Sequence, residues 1–253
     1  MKERPQQVHD LWIFGVNPVR EALRTRSMVI REMIHTRTDQ RIQELIDLAR
    51  QRRIPLRQED RDALSALVGH THHQGVALHA ADYPYTPLES LLDRPAAERE
   101  PLLILDCIQD PQNLGALIRS ACFLGAKGIV IPADRSARVT GTVIKVAAGA
   151  TAYLPVAQVT NLARALEEMK EAGLWIAGLE VEGSRSLYAA DLSIPLGLVV
   201  GNEEKGLRPL IRKHCDLLVR IPGPGPLQSL NASASGAIAL AEIQRQRFTI
   251  AKS

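Results

Sequence analysis

Three segments of the sequence place unusual residue types shortly after apolar runs that are typical of buried strands. They run from Asp110 to Arg119, from Gly201 to Gly206 and from Ile221 to Ser233. Asn113 and Arg119, six positions apart in the first segment, supply an amide and a fixed positive charge. Because ligands collect at the carboxyl ends of parallel strands, we expect the three segments to form one polar site.

The third segment is the most informative of the three. Its first six residues, Ile221 to Pro226, contain three prolines and two glycines, so neither helix nor strand forms there. Proline removes amide donors and glycine lets the chain pass close to a ligand, which leaves main-chain carbonyls facing a bound molecule. A polar cluster from Gln228 to Ser233 follows at the start of the last helix. The same residues can form an ordinary turn followed by a serine cap. The rigidity of the loop favours the interpretation as a binding site.

The other two segments have simpler interpretations as well. Asn113 can be the cap of a helix with Arg119 on its surface, and Gly201 to Gly206 can be a polar turn between a strand and a helix. A phosphate loop needs lysine after its second glycine, but Leu207 follows Gly206. The glycine fingerprint GxGxxG does not occur, which argues against a nicotinamide-dependent dehydrogenase.

The elements that position these segments follow from hydrophobic patterning. Strand–helix alternation after residue 101 predicts a parallel sheet covered by helices. Its strands are expected to begin at Leu102, Gly128, Leu174, Leu196 and Leu217. Its helices are expected at Asn113–Leu124, Asn161–Glu171, Leu207–His214 and Ser229–Arg247. The apolar face of the last helix is expected to comprise Leu230, Ala234, Ala237, Ile238 and Ala241.

The first part of the chain reads as a smaller α/β layer structure. Its strands are expected at Leu11–Phe14, Ile30–Thr36, Ile54–Leu56 and Gly75–Leu78. Its helices are expected to begin after Asn17, Asp39 and Asp60. Closely spaced prolines between Asp82 and Pro101 fit a stiff linker better than a core element. We therefore expect a domain at 1–82, a linker at 83–100 and a second domain at 101–253.

Composition excludes several classes of protein. Of 253 residues, 45% are hydrophobic and 23% charged, which suits a globular protein with a sizeable core. Three cysteines are too few for a disulfide framework, and neither a long apolar run nor a secretory signal occurs, so a cytoplasmic location without a membrane is expected. A net charge of +3 does not diagnose RNA binding, and 4% aromatic residues argue against binding single strands mainly by stacking.

Taken together, the three segments resemble motifs one, two and three of the SpoU (TrmH-like) class of SPOUT RNA methyltransferases. The matching residues are Asn113-Leu114-Gly115 with Arg119, Leu198 to Glu203 with Gly206, and Ile221-Pro222 with Ser229-Leu230-Asn231. Order and spacing agree over residues 102–247. The N-terminal part resembles the substrate-binding domain of that class, an L30e-like α/β fold, at Phe14–Val19 and His73–Val76.

The resemblance implies a fold, a cofactor and a substrate. The family's C-terminal domain is a parallel sheet with a deep trefoil knot that binds S-adenosylmethionine mostly through backbone atoms, and the enzymes are homodimers. The implied reaction is methylation of a ribose 2′-hydroxyl, of a guanosine in 23S ribosomal RNA or its precursor. By position, Gly201, Ile221 and Leu230 would hold the cofactor. The reacting site would comprise Asn113, Arg119, Glu203, Ser229 and Asn231.

The resemblance also suggests a role for each of these side chains. A guanidinium is always protonated, so Arg119 is expected to hold the phosphate of the target nucleotide and to stabilise the developing alkoxide. Glu203 would hold Arg119 or the cofactor's amino group, and Asn113, Ser229 and Asn231 would orient the ribose. No general base is identified from the residues.

The N-terminal domain is expected to hold folded RNA through its backbone and shape. Candidate contacts, each of which can equally be part of a solvated face, are Arg20, Arg24, Arg26, Arg37, Arg52 and Arg53. His70, His72 and His73 have no cysteine partner nearby, so zinc is not expected. Cys107 and Cys122 alternate with apolar neighbours, as core thiols do.

Two other functions stay open at this point. The first keeps the chemistry and changes the substrate to a transfer RNA. The second is an RNA-binding protein that has lost catalysis, although Asn113, Arg119, Glu203 and Asn231 are all present.

Overall fold

The computed structural model of the chain describes residues 10–25, 27–93, 100–202 and 205–250, except for the side chain at 250. Contacts divide the chain into two units. Unit 1 comprises Met1–Pro84 and Val139–Tyr153, and unit 2 comprises Tyr85–Arg138 and Leu154–Ser253. No helix in the described ranges has both the length and the apolar character needed to span a membrane.

Unit 1 is built around a four-stranded mixed sheet with the order β1-β4-β2-β3. The strands are β1 (Leu11–Phe14), β2 (Ile30–His35), β3 (Leu56–Gln58) and β4 (Val76–Ala80). The helices are α1 (Val16–Thr25), α2 (Gln40–Gln51) and α3 (Arg61–Val68). Strand β4 is antiparallel to both β1 and β2, whereas β2 and β3 are parallel. The caps Asp39 and Asp60 accept backbone amides at the starts of α2 and α3, which confirms these two predicted helix starts.

A further helix of unit 1 comes from the later part of the sequence. Helix α5 (Gly141–Val146) lies within Val139–Tyr153, which the sequence placed in the second domain and in which no helix was predicted. A Cβ atom at Gly141 would lie 2.0 Å from the carbonyl oxygen of Trp12, so α5 rests directly on β1. Lys145 lies 4.9 Å from the ring centroid of Phe14. By its contacts this segment is therefore grouped with unit 1, although the sequence predicts it within the domain at 101–253 and its partners are distant in sequence.

Unit 2 contains a seven-stranded sheet with the order β7-β6-β5-β10-β8-β11-β9. Its strands are β5 (Leu102–Asp106), β6 (Gly128–Pro132), β7 (Val156–Val159), β8 (Trp175–Leu179), β9 (Arg185–Ser186), β10 (Leu196–Gly201) and β11 (Leu217–Arg220). Its helices are α4 (Pro111–Phe123), α6 (Leu162–Glu171), α7 (Pro209–His214) and α8 (Ala232–Ile250). Each neighbouring pair is parallel, as predicted. The short strands β7 and β9 were not predicted.

The segment predicted as a linker contributes to the core of unit 2. Leu88 and Leu91 lie in a short 3-10 helix and are buried at 6% and 1% exposure in the cluster that includes β5 and α6. Gly128 makes room for this contact, since a Cβ atom there would lie 2.8 Å from Leu91 Cδ2. The prediction of a stiff linker is wrong here, because proline density reports the local backbone and not tertiary packing. Residues 94–99 lie outside the described residues.

The buried face of α8 also differs from the predicted one. The buried positions are Ala232, Gly236, Ala239, Leu240, Glu242 and Ile243. The predicted face is partly or fully exposed, and Leu230 precedes the helix at 47% exposure. The physical reason is Gly236, whose missing side chain lets α8 close onto Leu117 of α4, where a Cβ atom would lie 2.5 Å from Leu117 Cδ2.

We predict that Leu91→Ala lowers the free energy of unfolding by about 2–5 kcal/mol, because it opens a cavity in a packed core. Leu210→Ala, at a position that is 57% exposed, is the matched control and is expected to cost less than about 1 kcal/mol. Urea unfolding of both variants measures the difference. Equal losses in the two variants would show that Leu91 is not a core residue.

Candidate active site

The three polar segments follow β5, β10 and β11, and these strands end at the same edge of the parallel sheet. In the register of the central pair, Gly201 at the end of β10 lies beside Asp106 at the end of β5. Strand β8 separates β10 from β11. The predicted placement of the three segments at one sheet edge is therefore what the topology shows.

Asn113 and Asn231 are brought together by the packing of α4 against α8. The Nδ2 atom of Asn231 donates to Oδ1 of Asn113 at 2.9 Å. The Oδ1 atom of Asn231 accepts the amides of Ser233 and Ala234 at 2.9 and 3.3 Å, so Asn231 also caps α8. Both ends of its amide group are thus fixed by hydrogen bonds.

Asn113 is not the cap of its helix, contrary to prediction. Pro111 occupies the first turn of α4 and Asp110 caps it, accepting the amide of Gln112 at 3.0 Å. Proline favours the first helical position, so the cap falls on the residue before it. This shift places Asn113 inside the first turn, where its side chain reaches Asn231.

Arg119 lies on the exposed surface of α4. It follows Asn113 by six residues, which places the two side chains roughly 120° apart around the helix. In the described part of the chain, its guanidinium has no carboxylate within ion-pair distance. The charge of Arg119 is therefore open to solvent on this face of α4.

The proline–glycine loop is uncovered along its length. Ile221 is half-buried, and the residues from 222 to 230, including Ser229 and Leu230, are exposed. A Cβ atom at Gly223 or Gly225 would meet no other atom within 4 Å. Since three prolines interrupt its amides, the loop offers an open edge of main-chain carbonyls to a ligand.

The loop after β10 turns back tightly on itself. A Cβ atom at Gly201 would lie 2.4 Å from the carbonyl group of Gly206, so only glycine fits at the first position. Asn202 pairs with Gly206 in an isolated bridge, and its Nδ2 donates to the carbonyl oxygen of Cys107 at 3.3 Å. Glu203, a predicted member of the reacting site, lies outside the described residues.

The sequence reasoning missed the ion pair that holds this loop. Asp106 is fully buried and accepts both the backbone amide and the Nε atom of Arg208, at 2.8 and 2.7 Å. The bond ties the end of β5 to the start of α7. The sequence contained a signal for this ion pair. Asp106 follows the apolar run from Leu102 to Leu105, and a charge buried there requires a partner.

The cysteines have the properties of core thiols, not of nucleophiles. Burial, aided by the charge of Asp106, raises the pKa of Cys107, and burial raises the pKa of Cys122. Burial and the charge of Asp216 raise the pKa of Cys215 to about 12. Each thiol therefore stays protonated at neutral pH and is a poor nucleophile.

The basic residues predicted to contact RNA have different roles in unit 1. Arg52 is structural, because its Nη1 donates at 2.9 Å to the carbonyl oxygens of both Ala22 and Leu23 at the end of α1. Arg24 pairs loosely with Glu21 at 3.9 Å. Arg26 lies outside the described residues, Arg53 is exposed, and Arg20 and Arg37 line a cavity described below.

His73 is engaged in the packing of unit 1. Its Nδ1 accepts the amide of Gly75 at 3.1 Å, and its Nε2 lies 3.1 Å from the hydroxyl of Ser65. Both ring nitrogens are therefore occupied, which leaves neither for a metal. Burial, followed by the charge of Arg61, lowers the pKa of His73, so its ring is neutral at neutral pH.

We predict that Asp106→Ala lowers the free energy of unfolding by about 3 kcal/mol, because it removes a buried carboxylate from two donors of Arg208. Asp93→Ala, which removes a 58% exposed carboxylate 3.8 Å from Lys127, is the matched control and is expected to cost less than about 1 kcal/mol. Denaturant unfolding distinguishes the two. A loss in the Asp106 variant no larger than in the control would contradict the role of the ion pair.

Comparison with known proteins identifies the family of both parts of the chain. Residues 100–241 match the SpoU rRNA Methylase family, and residues 12–86 match the RNA 2′-O ribose methyltransferase substrate binding family. The 23S rRNA (guanosine-2′-O-)-methyltransferase RlmB of Xanthomonas axonopodis pv. citri is 43% identical over 242 residues, which cover 94% of this chain and 97% of that protein. YacO of Bacillus subtilis, a putative TrmH family tRNA/rRNA methyltransferase, is 38% identical and covers 95% of this chain and 97% of its own.

A solved structure agrees with the sequence relatives. The SpoU methyltransferase AviRb from Streptomyces viridochromogenes, in complex with the cofactor AdoMet, superposes with a TM-score of 0.81 at 26% identity, covering 95% of this chain and 91% of that one. The resemblance found in the three sequence motifs is confirmed, and the chain belongs to the SpoU rRNA methylase family.

Proposed function

We propose that the protein methylates a ribose 2′-hydroxyl of a guanosine in 23S ribosomal RNA, with S-adenosylmethionine as methyl donor. The observation that carries this proposal is the 43% identity to RlmB over 94% of this chain and 97% of that enzyme. The similarity therefore covers both units, including the one that matches the substrate-binding family.

The residues of unit 2 fit this cofactor. S-adenosylmethionine supplies an activated methyl group, so the protein has to bind and align it. Gly201, Ile221 and Leu230 are the proposed cofactor-binding residues. The open carbonyl edge of the proline–glycine loop and the close turn at Gly201 suit a ligand held by backbone atoms. The cofactor-bound AviRb structure, of similar fold, supports the assignment.

The ribose side of the proposed site is formed by neutral polar groups. The hydrogen-bonded pair of Asn113 and Asn231 presents fixed amides, and the exposed Ser229 adds a hydroxyl two residues before Asn231. These groups orient the ribose hydroxyls. Arg119 holds a phosphate of the target nucleotide and stabilises negative charge on the 2′-oxygen as its proton leaves. Glu203 completes the proposed set by pairing with Arg119 or with the cofactor's amino group.

Two finer features of the fold belong to the same proposal. A trefoil knot in unit 2 is supported by the match of residues 100–241 to the SpoU family and by one close passage of distant segments, where a Cβ atom at Gly183 would lie 2.4 Å from the carbonyl carbon of Val219. An L30e-like fold for unit 1 is supported by its four-stranded sheet and by the match to the substrate-binding family.

A ribosomal substrate is favoured over a transfer RNA by the extent of the matches. The TrmH/SpoU tRNA modifying enzyme of A. aeolicus covers only 65% of this chain, although 86% of its own length is matched. RlmB matches nearly the whole of both chains.

The Asn113–Asn231 pair argues against a non-catalytic RNA-binding role, because a protein that only binds RNA does not need two linked amides. A cytoplasmic location is part of the proposal and agrees with three free cysteines.

A homodimer is supported by apolar groups left exposed on two helices that pack together in unit 2. Phe123 at the end of α4 and Phe248 near the end of α8 are 87% and 65% exposed, and Leu227 before α8 is 84% exposed. The ends of the two helices are joined by Gln244 Nε2, which donates to the carbonyl oxygen of Gly125 at 3.4 Å. Apolar surface of this kind marks a contact with another protein surface.

We expect sedimentation equilibrium to give twice the mass of one chain, and Phe123→Glu to shift the protein towards the monomer, because a charge at an apolar interface is costly. Tyr188→Glu, at a site on unit 2 that is 54% exposed and outside α4 and α8, is the matched control and should stay dimeric. A wild-type monomer at micromolar concentration would contradict the dimer.

The reaction is tested by incubating the protein and labelled S-adenosylmethionine with 23S ribosomal RNA and, separately, with transfer RNA. We expect methylation of the ribosomal RNA alone. Arg119→Ala should reduce its rate at least about a hundredfold, because a charge at a developing oxyanion contributes that much. Cofactor affinity, measured by calorimetry, should be unchanged. Arg164→Ala, an exposed arginine on α6, serves as the control. Near-normal turnover by the Arg119 variant would dismiss its assigned role.

A further inference from the structure

A cavity of about 770 Å³ lies within unit 1, whereas every residue of the proposed methylation site belongs to unit 2. Among the described residues that line it are four arginines (Arg20, Arg37, Arg41 and Arg61) and one carboxylate, Asp60. Its volume falls within the range of about 300–1,000 Å³ that small-molecule sites occupy. Because Arg37 pairs with Asp39 and Arg20 with Glu44, the positive charge available to an anionic ligand is that of Arg41 and Arg61.

The cavity lies where three helices of unit 1 begin. It opens at the carboxyl ends of β1, β2 and β3, and all three helices that follow these strands begin there. Asn17, Arg41 and Arg61 lie in the first turns of α1, α2 and α3, and all three line the cavity. Helix N-termini carry partial positive charge, but the carboxylates of Asp39 and Asp60 cap α2 and α3 and offset it there, so the positive charge of the cavity comes chiefly from its arginines.

The arginines divide into a fixed pair and an available pair. Arg37 Nε is 2.7 Å from Asp39, and Arg20 donates to Asn17 Oδ1 at 3.2 Å, so these two are held by the protein. Arg41 and Arg61 are exposed, and within the described ranges neither has a carboxylate within 4.0 Å. Their guanidinium groups remain available for phosphate oxygens, which such planar donors bind in pairs.

One wall of the cavity is a strained turn that presents neutral hydrogen-bonding groups. Gln74 and Gly75 have φ angles of 58° and 82°, and the turn is held because Gln74 Oε1 accepts the amide of Val16 at 2.8 Å. This bond leaves Gln74 Nε2 as a donor at the cavity wall. A non-glycine residue in this backbone region persists only when its surroundings hold it there, a condition frequent at ligand sites. Thr36 adds a hydroxyl to the same wall.

We propose that this cavity binds one unpaired nucleotide of the RNA substrate, with Arg41 and Arg61 on its phosphates and Gln74 and Thr36 on its base. The proposal rests on the proposed function, since it assumes that RNA is the substrate. A lone phosphate would fill a small part of the space, and a paired nucleotide would not fit a concave site. Unpaired bases of loops and bulges are the parts of RNA that proteins read by their edges.

The test uses the full chain and two fluorescein-labelled RNAs: a hairpin from 23S ribosomal RNA with a single-stranded loop, and a blunt duplex of the same stem sequence. The wild type should bind the hairpin at least about tenfold more tightly than the duplex. Arg41→Gln/Arg61→Gln should abolish that preference and reduce the slope of log affinity against log salt by about 1.4, for two lost single-strand phosphate contacts. Gln74→Ala should weaken hairpin binding with no change of slope.

The matched control is Arg50→Gln/Arg164→Gln, which removes two exposed charges, at 66% and 76% exposure, outside the cavity. It should keep the hairpin preference. Arg41→Lys/Arg61→Lys, which retains the charge, should restore the slope and part of the affinity. Thermal unfolding and cofactor affinity should match the wild type in every variant.

The outcomes separate this proposal from the proposed function. A double Gln variant that binds the hairpin as tightly as the control overturns the cavity alone, as does one that melts earlier and loses affinity for both RNAs equally. A wild type that binds the hairpin through the cavity but methylates no RNA overturns the proposed function alone. A wild type that binds neither RNA overturns both.

Discussion

The candidate site depends on one constraint. Backbone segments pack directly against each other at the carboxyl edge of the parallel sheet. Gly201 lies so close to Gly206 that no side chain fits between them, and the Asp106–Arg208 ion pair fixes the far end of the same loop. These two contacts fix the described residues on either side of the turn after β10, Gly201 and Asn202 before it and Gly206 and Arg208 after it. Such preorganisation reduces the entropy lost on binding.

The two units divide the work of recognition between different kinds of interaction. Unit 2 offers backbone carbonyls, two linked amides and one exposed arginine, which suit alignment of a ligand more than strong attraction. Unit 1 carries the clustered charge, in a cavity lined by four arginines at the starts of three helices. If both proposals hold, charge on unit 1 gives affinity that varies with salt, whereas the geometry of unit 2 decides whether a reaction follows.

Local features of the fold could be predicted from the sequence, and features set by distant contacts could not. Asp39 and Asn161 were identified as helix starts because a cap is determined by its neighbours along the chain. The strands of the parallel sheet followed from continuous apolar runs. Leu91 and the buried face of α8 were misassigned, because their environments depend on Gly128 and Gly236, each of which makes room for a residue far away in sequence.

The candidate site shows the same division. Its segments were found from residue type and order, and the bond between Asn113 and Asn231 agrees with their assignment to one site. Only part of the lining of the unit 1 cavity was predicted from the sequence. Arg20 and Arg37 were suspected, but Arg41 and Arg61 were not, since the meeting of three helix starts depends on the order of the strands.

The return of Val139–Tyr153 to unit 1 has a consequence for biosynthesis. A ribosome releases the chain from its amino end, and the first 84 residues emerge without the helix that rests on β1. Until residue 153 has left the exit tunnel, the surface of β1 around Trp12 stays uncovered. The cover of β1 by α5 is therefore available only after more than half of the 253 residues have been synthesised.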